Sequence, residues 1–167
     1  MIKNVEPGER ENVSKLFSHA ITRMVVSGIF QWDEIYPDDK TLSDDLRNNE
    51  MHGFYQDDML CGVIVLNEVQ LKPYADVNWS MEDPRPLVVH RLCIHPDFQN
   101  RGIAHALMKF AESYARRNGY RSIRLDAFQN NPAALRLYQR LGYMPRGSIQ
   151  LRKGTFYCYE KLTHDLP

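Results

Sequence analysis

Arg91-Leu92-Cys93-Ile94-His95-Pro96-Asp97-Phe98-Gln99-Asn100-Arg101-Gly102-Ile103-Ala104 is the stretch from which the rest of the chain can be ordered. It runs from an apolar strand through a His-Pro turn and a short polar loop with one glycine, directly into a helix. Leu87–Ile94 supplies the strand. The helix is predicted from about Gly102 to Asn118, with Ile103, Ala106, Leu107, Phe110, Ala111 and Tyr114 on its inner stripe and Gly119 ending it. The first turn of a helix leaves backbone N–H groups unpaired and carries the positive end of the helix dipole. Gly102 and Ala104 keep that entrance free of bulk, so a pyrophosphate can approach the backbone, and Arg101 adds charge. Two other phosphate loops do not match: there is no Gly-Lys-Ser/Thr and no Gly-x-Gly-x-x-Gly. Taken alone, a glycine at a helix start is more often turn punctuation than a binding loop.

Upstream of this stretch, Ile2–Val5 reads as a short strand broken by Pro7-Gly8. A helix follows with Val13, Leu16, Phe17, Ala20, Ile21, Met24 and Val25 on one face, ended by Gly28. Residues 29–37 are aromatic and irregular, and a second short helix is predicted over Thr41–Asn48 with Leu42 and Leu46 facing in. His52–Gln56 and Met59–Val69 read as strands joined by an Asp57-Asp58 turn. Gln70–Pro86 carries Pro73, Pro84 and Pro86 together with Tyr74 and Trp79, and is taken as a long, structured loop. Downstream, Ser122–Ala127 is a strand. Asn131 caps and Pro132 opens another helix, Gly142 closes it, and Tyr143–Leu151 and Phe156–Leu162 are the last strands. The order β-α-α-β-β-β-α-β-α-β-β predicts a mixed α/β sandwich, helices on both faces, in a single domain over residues 1–167.

Composition narrows the function classes. Hydrophobic residues make up 43% and charged residues 25% of the 167, as in folded proteins. Lys+Arg and Asp+Glu balance at 21 each, so no global field favours nucleic acid or an anionic membrane, and neither partner is expected. No stretch approaches the roughly 18 consecutive apolar residues of a spanning helix, and the first residues carry no secretory pattern. Cys61, Cys93 and Cys158 are odd in number, widely spaced and set in apolar segments, which suits reduced core thiols in the cytoplasm. The six histidines have no metal-ligand spacing, and no metal is expected.

A second segment changes the weight of the first. Asn131-Pro132-Ala133-Ala134-Leu135-Arg136-Leu137-Tyr138-Gln139-Arg140-Leu141-Gly142-Tyr143 follows at the right distance and in the right context. With both segments the chain resembles the GNAT acetyltransferase superfamily. Gln99-x-x-Gly102-x-Ala104 is similar to the family's acetyl-CoA loop, and Asn131-x-x-Ala134-x-x-Leu137-Tyr138-x-x-Leu141-Gly142-Tyr143 to its second motif. The resemblance is strong over about Leu87 to Tyr143; the N-terminal half fits only as a pattern of elements. It implies a mostly antiparallel central sheet with a splayed strand pair, and acetyl-CoA as cosubstrate. It implies that Leu92, Cys93 and Ile94 offer backbone to the pantetheine arm, beside a bulge that splays their strand from Ser122–Ala127. Gln99, Asn100, Arg101, Gly102, Ile103, Ala104 and His105 would hold the pyrophosphate, Asn131 the pantetheine region, and Tyr138 would lie near the thioester sulfur.

Chemistry then assigns roles. An alkylamine with a pKa of about 10 is protonated at neutral pH and cannot attack until a base or a proton-conducting water accepts its proton. Backbone N–H groups at the splayed strand can stabilise the developing oxyanion. The departing thiolate needs a proton, and Tyr138 can donate it; its other reading is a packing aromatic on a helix. For the base, His90 lies on the incoming strand where some family members use a histidine, although a strand histidine among valines is often a satisfied core residue. Glu68 is the other candidate, against the plain reading of a solvated strand-end carboxylate. Cys93 as an acyl-accepting nucleophile lacks an arranged His-Asp pair, and packing is the better reading. Trp32, Tyr36, Tyr74 and Trp79 either line an acceptor pocket or cover the core edge. The leading expectation is N-acetyl transfer to a small-molecule amine. Acetylation of a protein or peptide N-terminus and a non-catalytic acyl-CoA-binding module stand as rivals, and a homodimer is kept open.

Overall fold

Periodicity and capping account for the elements of the computed structural model, which describes residues 1–166. They are β1 (Ile2–Asn4), α1 (Arg10–Val26), α2 (Asp39–Arg47), β2 (Met51–Gln56), β3 (Met59–Asn67), β4 (Leu87–Ile94), α3 (Ile103–Arg117), β5 (Ser122–Phe128), α4 (Pro132–Arg140), β6 (Met144–Leu151) and β7 (Gly154–Leu162). Strands and helices alternate in the predicted order. The seven strands form one sheet, ordered β1-β2-β3-β4-β5-β7-β6. β4 and β5 run parallel over Leu87–Val89 and Ile123–Leu125, while β1/β2, β2/β3, β5/β7 and β6/β7 are antiparallel. The sheet is therefore mixed and mostly antiparallel, as expected. Among the described residues no helix is long and apolar enough to cross a membrane.

The chain gathers into two compact units. One comprises Met1–Leu66 and Arg91–Phe110; the other comprises Asn67–His90 and the chain from Ala111 onward. In the first, Val13, Leu16, Phe17 and Ala20 of α1 and Leu42 and Leu46 of α2 pack with Met51, Val63 and Val65 of the strands. Asp38 starts α2 by accepting the Thr41 amide at 2.8 Å. The predicted stripe of α1 is one residue too long: Val25 is 47% exposed. Ile21 and Met24 are already only partly buried, so the core thins before the last turn. On the opposite face of the strands, His52 packs its ring 4.9 Å from Phe110 of α3. A Cβ on Gly62 would stand 2.7 Å from Ile94 Cδ1, 3.1 Å from the Cys93 carbonyl oxygen and 3.3 Å from Ile103 Cγ2. A glycine in β3 thus lets the end of β4 and the start of α3 settle directly on the strand.

In the second unit the long segment between β3 and β4 is fastened by polar side chains. The carboxylate of Glu160, on β7 and 1% exposed, accepts the Ser80 amide at 2.9 Å, the Ser80 hydroxyl, and Arg146 Nε at 3.1 Å. Arg124 of β5 lies 3.6 Å from the same carboxylate, donates to Gln70 Oε1 (2.8 Å) and the Met81 carbonyl (3.0 Å), and stacks over the Trp79 ring. Ser122 donates to Asp83 at 2.7 Å, and Tyr74, in a short 3-10 turn over Lys72–Asp76, donates to Asp126 at 2.6 Å. Buried charges persist only with partners. Here many of the partners come from the segment itself, which is why so long a connection is ordered.

Candidate active site

The quoted stretch folds as strand, turn, loop and helix. β4 ends in Leu92, Cys93 and Ile94, of which Cys93 is buried, and burial pushes its thiol well above the ordinary range. One residue earlier Arg91 takes φ +47, an irregularity inside a strand. The turn Pro96–Phe98 follows, with His95 Nδ1 accepting the Asp97 amide at 3.3 Å and the His95 ring against His19 of α1, nitrogen to nitrogen 3.0 Å. Gln99 Nε2 reaches back to the Ile94 carbonyl at 3.3 Å. Asn100 (φ +62) and Gly102 (φ +80) swing the chain into α3, and Gly102 accepts the Ala106 amide at 2.9 Å, so α3 begins there. A Cβ added to Gly102 would meet no atom within 4 Å. Arg101 is exposed and lies 5.0 Å over the Phe98 ring. Ala104 and His105 occupy the first turn of α3, where backbone donors lack intrahelical acceptors. On the α1 side of this loop, His19, Arg23, Met59, Phe98 and Arg101 line an open cleft of about 780 Å³.

The second motif lies in the other unit. Asn131 Oδ1 accepts the Ala134 amide at 3.2 Å and caps α4, with Pro132 in the first turn. Tyr138, 6% exposed, packs with its ring 6.0 Å from both Tyr143 and Tyr159. Among the described residues its hydroxyl makes no hydrogen bond. Burial, then the nearby Asp126 carboxylate and Tyr159, push the Tyr138 phenol well above its ordinary range, so it keeps its proton at neutral pH. Other tyrosines are committed: Tyr74 to Asp126 at 2.6 Å and Tyr120 to Glu68 at 2.8 Å. The Tyr143 hydroxyl, also buried and unbonded, shares a ring cluster with Tyr138.

The remaining candidates are held as follows. His90 Nε2 donates to the Val69 carbonyl at 3.0 Å, which puts a proton on that nitrogen. Glu68 Oε1 accepts from Arg85 Nε at 2.7 Å and from Tyr120, and the Tyr120 hydrogen bond together with Arg85 holds its carboxyl below the ordinary range. Trp32 is buried in the first unit, 5.4 Å from Phe17. Tyr36, in the same unit, is 40% exposed and accepts Arg91 Nη1 at 2.7 Å. In the second unit Tyr74 is buried, and Trp79 packs 5.3 Å from it, donating Nε1 to its carbonyl. Two features had escaped the sequence reading: Gly62, and the Arg91 side chain bound to Asp45 of α2. Both depend on residues far along the chain, and no local spacing announces them.

Similarities to known proteins converge on one family. A family model described as "Acetyltransferase (GNAT) family" matches residues 16–143. An N-acetyltransferase of Methanocaldococcus jannaschii, itself described as uncharacterized, is 35% identical over 82 residues; the match covers 46% of this chain and about a third, 36%, of that protein. The crystal structure of a GNAT-family acetyltransferase from Streptococcus agalactiae superposes with a TM-score of 0.85 at 22% identity, covering 97% of this chain and 94% of that one. A PaiA N-acetyltransferase from Thermoplasma acidophilum, crystallised in complex with coenzyme A, gives a TM-score of 0.75 at 16% identity over 97% of this chain and 98% of that one. These solved structures share the fold.

Proposed function

The chain belongs to the acetyltransferase (GNAT) family, and from that premise we propose that it moves an acetyl group from acetyl-CoA directly to the amine of a small molecule. It is an acyl-CoA-dependent N-acetyltransferase by class. The observation that carries the cosubstrate assignment is the empty space over Gly102, at the mouth of a 15-residue helix and beside Arg101. A side chain at that position would fill the approach to the amides of Ile103, Ala104 and His105, which suit a pyrophosphate. Gln99, Asn100 and Arg101 complete the loop, Leu92–Ile94 present strand backbone to the pantetheine arm, and Asn131 serves the same arm from the start of α4. When bound, acetyl-CoA supplies the activated acyl group and a thiolate leaving group.

The chain's own residues then manage protons and charge. Strand backbone N–H groups stabilise the developing oxyanion. Tyr138 donates a hydrogen bond, and then its proton, toward the departing sulfur. Two properties support this role: burial and Asp126 keep the phenol protonated, and no protein acceptor among the described residues competes for the hydroxyl. For the amine's proton, His90 stands ahead of Glu68. The carboxyl of Glu68 is held low by Tyr120 and Arg85 and is the weaker base.

One observation favours a small acceptor. The segment over residues 70–86 is fastened onto β5 and β7 through Ser80, Met81, Asp83 and Tyr74, which suits a fixed wall better than a groove that must admit variable peptides. Of the four candidate aromatics, Tyr36 is the one exposed by more than a third, and we assign it the acceptor contact. The deciding experiment is a panel of small amines and N-terminal peptides assayed for free CoA release. Turnover of small amines with none on peptides is the expected result. Turnover on peptides alone would transfer the assignment to protein substrates, and acetyl-CoA binding without turnover on any amine would favour a binding module.

A further inference from the structure

We propose that Arg91 is a positioning residue for the reaction, a role that rests on the acetyl-transfer reading above: its clamped guanidinium holds the backbone turn that aims Leu92–Ile94. The backbone makes the first half of the case. Arg91 takes φ +47 inside β4, whereas strand residues ordinarily lie near −120° to −140°. The other non-glycine residues with positive φ are Asn49, Asp57, Asp58 and Asn100, of the residue types that tolerate it, and all lie outside strands. Arg91 is the exception in both type and place. Such a conformation persists where surrounding structure over-determines it, and it marks sites where geometry matters.

The side chain makes the other half. Arg91 Nε and Nη2 donate to the two oxygens of Asp45 at 2.7 and 2.6 Å, and Nη1 donates to the Tyr36 hydroxyl at 2.7 Å. The paired side chains are only 9% and 6% exposed. Buried ion pairs seldom add net stability over apolar residues of similar volume, whereas a planar guanidinium on a carboxylate fixes orientation. The fork therefore ties the positive-φ turn in β4 to α2 and to the segment before it. The residue that follows the tether is Leu92, the first of the three proposed to run along the pantetheine arm. Without the tether, β4 is free to relax toward regular extended backbone, which redirects every N–H and C=O after residue 91.

The test uses Arg91→Gly, because glycine adopts φ +47 readily and removes the tether without a new backbone clash, with Arg91→Lys and Asp45→Asn as companions that keep the backbone residue type unchanged. In the ligand-free protein, amide hydrogen exchange at Leu92, Cys93 and Ile94 should quicken in Arg91→Gly by about tenfold or more, with Val63 and Val65 of β3 unchanged. In turnover, the KM for acetyl-CoA should rise roughly 10- to 100-fold, as small misplacements cost. Arg91→Lys, which keeps the charge and loses the fork, should fall between. Asp45→Asn should reproduce the glycine effect and add nothing on top of it. Unchanged exchange at Leu92–Ile94 overturns the proposal, and so does quickening shared equally by β3, which would make the pair a general stabiliser. A wild-type protein that releases no CoA with any amine counts against the acetyl-transfer reading instead, and the exchange measurement still decides the role of Arg91.

Discussion

Gly102 and Gly62 sit in the same compact unit in opposite surroundings. Around Gly102 an added Cβ finds no atom within 4 Å, whereas at Gly62 it would stand 2.7 Å from Ile94 and 3.1 Å from the Cys93 carbonyl. One position, Gly102, takes φ +80, which favours glycine, and the space above it is the space the proposed pyrophosphate would take. The other is empty because the chain itself has already come there, bringing the end of β4 and the start of α3 onto β3. A parallel contrast runs through the tyrosines of the second unit. Tyr74 gives its hydroxyl to Asp126, while Tyr138 keeps its own unbonded among the described residues.

The contrast breaks most sharply at Gly102→Glu. The side chain would occupy the phosphate approach with the wrong charge, so acetyl-CoA binding should be abolished. In wild type, ligand at about 100 times its Kd adds roughly 2.7 kcal/mol of stability. The mutant should melt below ligand-free wild type, because a side chain at φ +80 is strained, and show no shift with acetyl-CoA. An equal shift in both proteins removes the loop from the site.

Tyr138→Phe is the next largest effect. The ring stays, so packing against Tyr143 and Tyr159 is kept and only the donor goes. General acid catalysis is worth about 10²- to 10⁴-fold, and water partly replaces the hydroxyl, so a loss near 10² in kcat is expected with acetyl-CoA affinity preserved. The pH dependence follows in sign. An ordinary phenol loses its proton near about 10; burial and Asp126 raise that point, so wild type should show no downturn from Tyr138 between pH 7 and 10. Full turnover in the mutant would leave Tyr138 as packing.

Gly62→Ala sharpens the comparison from the filled side. The methyl must displace Ile94 and press on the Cys93 carbonyl, and overpacking of this kind costs about 1–3 kcal/mol. Thermal unfolding should show that loss, and the acetyl-CoA-induced shift should shrink without vanishing, unlike Gly102→Glu. A mutant as stable as wild type would mean that β4 yields without cost.

Much of this was legible in the residues. The Asn131-Pro132 start and Gly142 stop of α4, the Asp57-Asp58 turn and the stripe from Val13 to Ala20 are local signals, read within a few residues of one another. The loop from Gln99 to Ala104 was legible for the same reason. What escaped the reading is non-local. Arg91 and Asp45 are 46 positions apart, Ser80 and Glu160 80 apart, and Arg124 draws on Gln70 and Met81. A polar residue in a strand pattern reads as solvent-facing until its partner is known, and Arg124 and Glu160 are buried. The hydrogen bond of His90 to the Val69 carbonyl belongs to the same class. Val25 fails for a different reason: helical periodicity names a face without saying how far along the helix the core extends.

The three free cysteines, each buried, give the molecule a use unrelated to catalysis. Burial pushes the Cys93 thiol far up and, with Asp126, that of Cys158 to about 12, so neither reacts as a thiolate while its surroundings stay closed. Cys61 and Cys93 belong to one compact unit and Cys158 to the other. A thiol-modifying reagent therefore acts as a clock on opening, and variants retaining a single cysteine time each unit separately without an added dye site. The chain carries its own unfolding reporters, at least one in each unit.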